Sequence, residues 1–121
     1  MTNTEYLRAR LLRGVDTSPI GHKTATLDEL RGMQWSEDFT DAMRPRMYMG
    51  YFRYGDTRKQ TGRYNNVGSA ITRLKLFQAT GNEEHLVDVA NLCMVEFMQK
   101  NHPNAHFEAA DDGIHVEAII K

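Results

Sequence analysis

The chain has 121 residues, with 15 Lys and Arg against 16 Asp and Glu, five His and a formal net charge of −1. Near-neutrality excludes a generic DNA-binding coat, and no run of about 18 apolar residues is present to form a transmembrane helix. With 40% hydrophobic and 26% charged residues the composition is that of an ordinary globular protein. Area scaling lets such a chain bury about two-thirds of its surface without metal or disulfide staples. The single Cys93 cannot form an intrachain disulfide, and the start MTNTEYLRARLL lacks the apolar core of a signal peptide. One domain spanning 1–121, in the cytoplasm, is expected.

In chain order, Tyr6, Leu7, Leu11 and Leu12 predict a short helix over 4–13, followed by a Ser-Pro and Gly loop over 15–24. Thr26 with Glu29 matches a capping box and opens a short helical segment stopped by Gly32. Residues 1–34 thus read as an N-terminal helical arm. Ser36, ahead of Glu37 and Asp38, caps a helix over 36–54. Its apolar stripe is Phe39, Met43, Met47, Tyr51 and Tyr54, Pro45 predicts a kink or break near 42–44, and Gly55 ends it. Residues 56–64 read as an exposed polar loop. From Asn65 or Asn66 a further helix carries Val67, Ala70, Ile71, Leu74 and Phe77 and stops at Gly81. Asn82 caps a helix over 83–101 that is apolar nearly all round, which places it at the centre of a bundle or in an oligomer interface. The tail, 102–121, offers a short helical stretch near 105–110 and a strand near 114–120. The expected fold is mainly α: a small helical bundle with a long central helical hairpin (core 35–101) and a short irregular or strand-like C-terminal tail. The circumference of the 83–101 helix makes a homo-oligomer the expected state.

The net charge conceals a segregation. Between Arg44 and Lys75 eight basic residues face one acid, Asp56; between Asn82 and Glu117 eight acids face one base, Lys100. Either the two segments pack together and neutralise one another, or the basic one holds an anion site. Asp88 and Asn91 share a helix face with Glu84 one turn earlier. A carboxylate inside an apolar helix needs a partner. It either forms an ion pair with Arg46, Arg53 or Arg73, or it lines a pocket for a cation or a sugar hydroxyl. Arg46, Gly50 and Arg53 align on another helix. Gly50 marks the close approach either of a helix or of a ligand clamped by guanidiniums, whose planar forks bind phosphate bidentately. Arg58, Lys59, Thr61, Gly62 and Arg63 are candidates for further phosphate contacts without a P-loop pattern, and Tyr54 and Tyr64 are candidates for base stacking or for core packing. His102, His106, Asp111, Asp112 and His115 form a metal-capable tail without a zinc motif. Cys93 reads as a buried, inert thiol.

Two segments, MRPRMYMGYFRYG (43–55) and ATGNEEHLVDVANLCMVEFMQKNHPNAHFEAADDG (79–113), together with the intervening helix that carries Arg73, resemble small phage and prophage proteins with an RYG…TGNxExLVDxAN arrangement. These are similar in turn to MazG-like pyrophosphohydrolases and nucleotide-modification-associated domains. The resemblance implies a phage-type protein, in an infected or lysogenic bacterial host, that binds a nucleotide or cyclic-nucleotide signal and sequesters it to counter host defence. The ligand-binding residues implied are Arg46, Arg53, Tyr54, Arg63, Tyr64, Arg73, Asp88 and Asn91. The alternatives are a Mg-dependent nucleoside-triphosphate pyrophosphohydrolase, with Glu84 and Asp88 as metal ligands, and a protein-interaction module with no small-molecule ligand. MazG-type enzymes hold Mg²⁺ with two pairs of acids, whereas this chain has only Asp38 and Asp41 as an earlier pair and Glu84, Asp88 and Asn91 later. Binding is therefore expected ahead of catalysis.

Overall fold

The computed structural model describes residues 24–109 and Ile119. Four α-helices are present among them: α1 (Leu27–Gln34), α2 (Glu37–Tyr54), α3 (Asn66–Thr80) and α4 (Glu84–Gln99), with a 3₁₀ turn at Thr57–Lys59. The expected helix over 4–13, the loop over 15–23 and the strand over 114–120 lie outside the described residues, apart from Ile119, which is not in a strand. The chain divides into two units, residues 25–105 and the chain ends, 1–24 with 106–121. The four described helices belong to the first. None of them is long and apolar enough to cross a membrane.

Local chemistry sets each helix end. The Thr26 and Glu29 side chains form the reciprocal capping box of α1, which then runs through Gly32 to Gln34. Gly32 does not stop it because its right-handed helical conformation costs glycine only about 1 kcal/mol. Ser36 Oγ accepts the Phe39 N–H and starts α2. That helix continues unbroken through Pro45. Asn65 Oδ1 accepts the Gly68 N–H at the start of α3, and Gly81 closes it in the left-handed conformation. The N-cap of α4 is Glu83, not Asn82 as expected, because the chain is already in a helical turn there; Asn82, one residue earlier, accepts the Glu84 N–H through Oδ1.

α3 and α4 form the long hairpin, and α2 packs on α4. The mainly helical fold with its central hairpin is as the sequence indicates. The packing differs in detail. Among the described residues the only buried hydrophobic side chains are Ala70 and Val87, while Gln60, Asn66, Asn91 and Gln99 are buried polar groups. The α2 stripe is not a core stripe: Met43 and Met47 are half-buried, but Phe39, Tyr51 and Tyr54 are exposed. The row turned toward α4 includes Arg46, whose ion pairs with α4 set the rotation of α2. Cys93 is exposed, not buried, because it lies on the side of α4 that neither α2 nor α3 covers. Residues 105–109 are irregular rather than helical.

Candidate functional site

A cleft of about 370 Å³ opens between α2 and α3, with α4 as its floor. Helical spacing brings its residues to one place. Arg46, Gly50, Arg53 and Tyr54 come from successive turns of α2, Asn66, Ser69 and Arg73 from α3, and Asp88, Asn91, Val95 and Gln99 from α4. The volume lies within the range of small-molecule sites.

Asp88 is the electrostatic centre. Its carboxylate accepts from Arg46 Nε at 2.5 Å and Nη2 at 3.2 Å, a bidentate fork, and lies 3.1 Å from Arg73 Nη1. Arg46 also donates to Glu84 Oε1 at 2.7 Å. The hydrogen bond to Asp88, reinforced by the charges of Asp88 and Glu84, holds the Arg46 guanidinium more firmly protonated than usual. The Asp88 side chain is 13% exposed, but Arg46 and Arg73 keep 37% and 42% of theirs. One carboxylate thus positions two guanidiniums and leaves part of each facing solvent. Arg53 forms no ion pair among the described residues, and its guanidinium stands 6.0 Å from the centre of the Tyr54 ring.

Asn91 is buried. Its amide donates to the Met43 carbonyl at 3.0 Å, tying α4 to the main chain of α2, while Oδ1 has no hydrogen-bond partner among the described residues. An unpaired buried acceptor costs about 1–3 kcal/mol. At the other end of the cleft the Tyr54 and Tyr64 rings meet edge to face, with centroids 5.7 Å apart. Both rings are about half exposed.

The loop carrying Tyr64 is held by a polar network. Gln99 Nε2 donates to the Thr57 carbonyl, Asn66 Nδ2 to Glu96 and Gln99, Asn101 Nδ2 to the same two acceptors, and the Gly62 N–H to Asn101 Oδ1. Gln60 turns inward and donates to the Tyr54 carbonyl. The turn that permits this passes through Gly55 at φ 90°, a left-handed conformation, where a Cβ would also meet the Gln60 amide at 3.2 Å. Hydrogen bonds from Asn101 first, and then from Asn66, hold the Glu96 carboxyl below its ordinary range.

Of the expected ligand residues, Arg46, Arg53, Tyr54, Tyr64, Arg73, Asp88 and Asn91 line the cleft, and Arg63 does not. Glu84 stands behind Arg46 rather than in the cleft. Gly50 lines it, and nothing lies within 4 Å of a Cβ built there, so no helix approaches it. Gln60, Asn66 and Gln99 also line the cleft without having been expected, because polar residues at loop and helix ends carry no periodic signal of burial. Magnesium, which the MazG-like alternative requires, does not fit these residues. Mg²⁺ needs oxygen ligands in octahedral array, but the Glu84 and Asp88 carboxylates already accept from guanidiniums that would repel a cation. No group of three His, Cys, Asp or Glu among the described residues is arranged to hold a metal. In the tail, His102 Nδ1 accepts the Asn104 N–H and His106 lies 3.9 Å from Glu108, while Asp111, Asp112 and His115 lie outside the described residues.

No protein-family model, no curated protein and no solved structure matches this chain.

Proposed function

We propose that the cleft binds a small phosphorylated ligand bearing a flat ring, a nucleotide or cyclic nucleotide, and holds it without chemistry. One observation carries the reading: the guanidiniums of Arg46, Arg53 and Arg73 converge on a cleft that also presents the Tyr54–Tyr64 pair. Arginine forks match phosphate oxygens, and a tyrosine face stacks a base. Formally the cleft carries three guanidiniums against the single carboxylate of Asp88. The Asn91 oxygen suits a ribose hydroxyl or an exocyclic amine. Binding is favoured over hydrolysis because Asp88, the carboxylate that lines the cleft, is engaged with Arg46 and Arg73. A protein of this kind acts by sequestering its ligand, the role suggested by the resemblance to phage proteins.

The test is thermal denaturation in EDTA with ATP, with a cyclic dinucleotide, with adenosine and with inorganic phosphate. A nucleotide at about 100 times its Kd should stabilise the protein by about 2.7 kcal/mol, and adenosine should do nothing. Arg53→Ala should abolish the shift while leaving the unliganded Tm unchanged, since Arg53 supports no ion pair among the described residues. Absence of a shift with every phosphorylated compound overturns the reading. So does magnesium-dependent release of pyrophosphate.

A further inference from the structure

The α3–α4 hairpin has a second side, turned away from the cleft. On α3 the inward row is Asn66, Ala70, Arg73 and Phe77, all buried or half-buried. At 100° per residue Val67, Ile71 and Leu74 fall roughly a quarter-turn from that row, on the flank opposite the cleft residue Ser69. They are 56%, 49% and 43% exposed. On α4 the cleft row is Asp88, Asn91, Val95 and Gln99, and the opposite side carries Ala90, Cys93 and Phe97. Phe97 is 61% exposed, Met94 beside it 36%, and Cys93 is exposed. None of these residues is charged. Charge stands at the edges: Lys75 borders the α3 row, and Lys100 sits 4.8 Å from the Phe97 ring centre.

We infer that this face is the interface of a homodimer, two hairpins packing back to back as a four-helix bundle. Three observations select a second copy as the occupant. The exposed apolar side chains amount to roughly 500 Å² per copy, at the upper end for a monomer. A two-fold pair doubles this to the ~1,000 Å² that a stable interface needs before any rim residue is counted. Gln78 is the one amide that continues the α3 row; the rest of the face is apolar, and an isologous contact needs only a self-complementary apolar surface. α3 and α4 have 15 and 16 residues, so hairpin stacks on hairpin without overhang, as in bundles of matched helices. With Ala70 and Val87 the only buried hydrophobic side chains among the described residues, the pairing also supplies the missing core. The cleft lies on the other side of the hairpin, so the inference does not rest on the ligand.

Light scattering on the full chain at micromolar concentration should give twice the chain mass. Ile71→Glu and Phe97→Glu should each give a monomer, with maleimide labelling of Cys93 faster by an order of magnitude. Phe52→Glu, on the outer side of α2 at 87% exposure, should leave the dimer intact. If both glutamate variants fail to fold, wild-type labelling over a dilution series decides. A rate that rises on dilution supports the pairing, and a constant rate overturns it. A wild-type monomer overturns it as well, including one with a protected Cys93, where the chain's own ends would cover the face. A dimer that survives both folded variants also overturns it.

Discussion

The two sides of α4 are finished in opposite ways. Toward the cleft, Asp88, Asn91, Glu96 and Gln99 have specific partners from α2, α3 and the 56–64 loop. Away from it, Cys93, Met94 and Phe97 are exposed, and the one contact there among the described residues is the Lys100 ammonium over the Phe97 ring. Polar groups need fixed geometry to offset the cost of leaving water, whereas apolar groups only need cover. The cleft side can therefore be completed within one chain, and the far side is left for association.

The comparison breaks most sharply at Asp88. Asp88→Ala removes the acceptor shared by Arg46 and Arg73. Charge-assisted bonds are worth about 1.5–3 kcal/mol, and the partial exposure of both arginines reduces this to a loss of about 2 kcal/mol. That corresponds to a fall in Tm of roughly 5–10 °C, followed by circular dichroism. Asp88→Asn, which keeps an acceptor, should recover part of it. Next comes the network that holds the Tyr64 loop. Asn66→Ala removes both of its bonds to α4 and should cost about 1–2 kcal/mol in urea unfolding, with little change in the labelling of Cys93 on the far side.

A smaller effect is expected with pH. Because the Glu96 carboxyl is held low, the folded state binds its proton less tightly than the unfolded chain does. Its contribution is complete above the unfolded value of about 4.3 and is lost as pH falls through the lower folded value. Urea midpoints between about pH 6 and pH 3 should fall less steeply in Glu96→Gln than in the wild type. The smallest effect has the opposite sign. Gly50→Ala meets nothing within 4 Å and should stabilise α2 by about 0.5–1 kcal/mol. If a ligand passes over Gly50, the same methyl should weaken nucleotide binding, which calorimetry reads directly.

Much of the fold was legible in the sequence because helix ends are local chemistry. The Thr26–Glu29 box, the Ser36 cap and the Gly81 stop each depend on residues a few positions apart, and all three occur. Two of the exceptions, Gly32 and Pro45, are breakers that a helix can carry at a moderate cost. The candidate site was legible in part for a related reason. Residues four and three apart share a helix face, so Arg46, Gly50 and Arg53 had to align, as did Asp88 and Asn91. Tyr51 and Cys93 were misread because periodicity marks a stripe without saying which neighbour faces it. Gln60 was missed because its burial depends on the left-handed turn at Gly55.

Within residues 26–101 the sequence by itself determined which segments are helical, where most of them end and which residues share a side of each helix; it did not foresee that 105–109 is irregular. These properties follow from backbone geometry and from hydrogen bonds within one or two turns. Only the tertiary structure decided that Asp88 draws in Arg46 and Arg73 together, that Arg63 stays out of the cleft and that the apolar side of α4 faces outward. Those outcomes depend on how whole helices rotate against one another. Here the ion pairs of Arg46 and the amide of Asn91 set that rotation, and the apolar stripes did not.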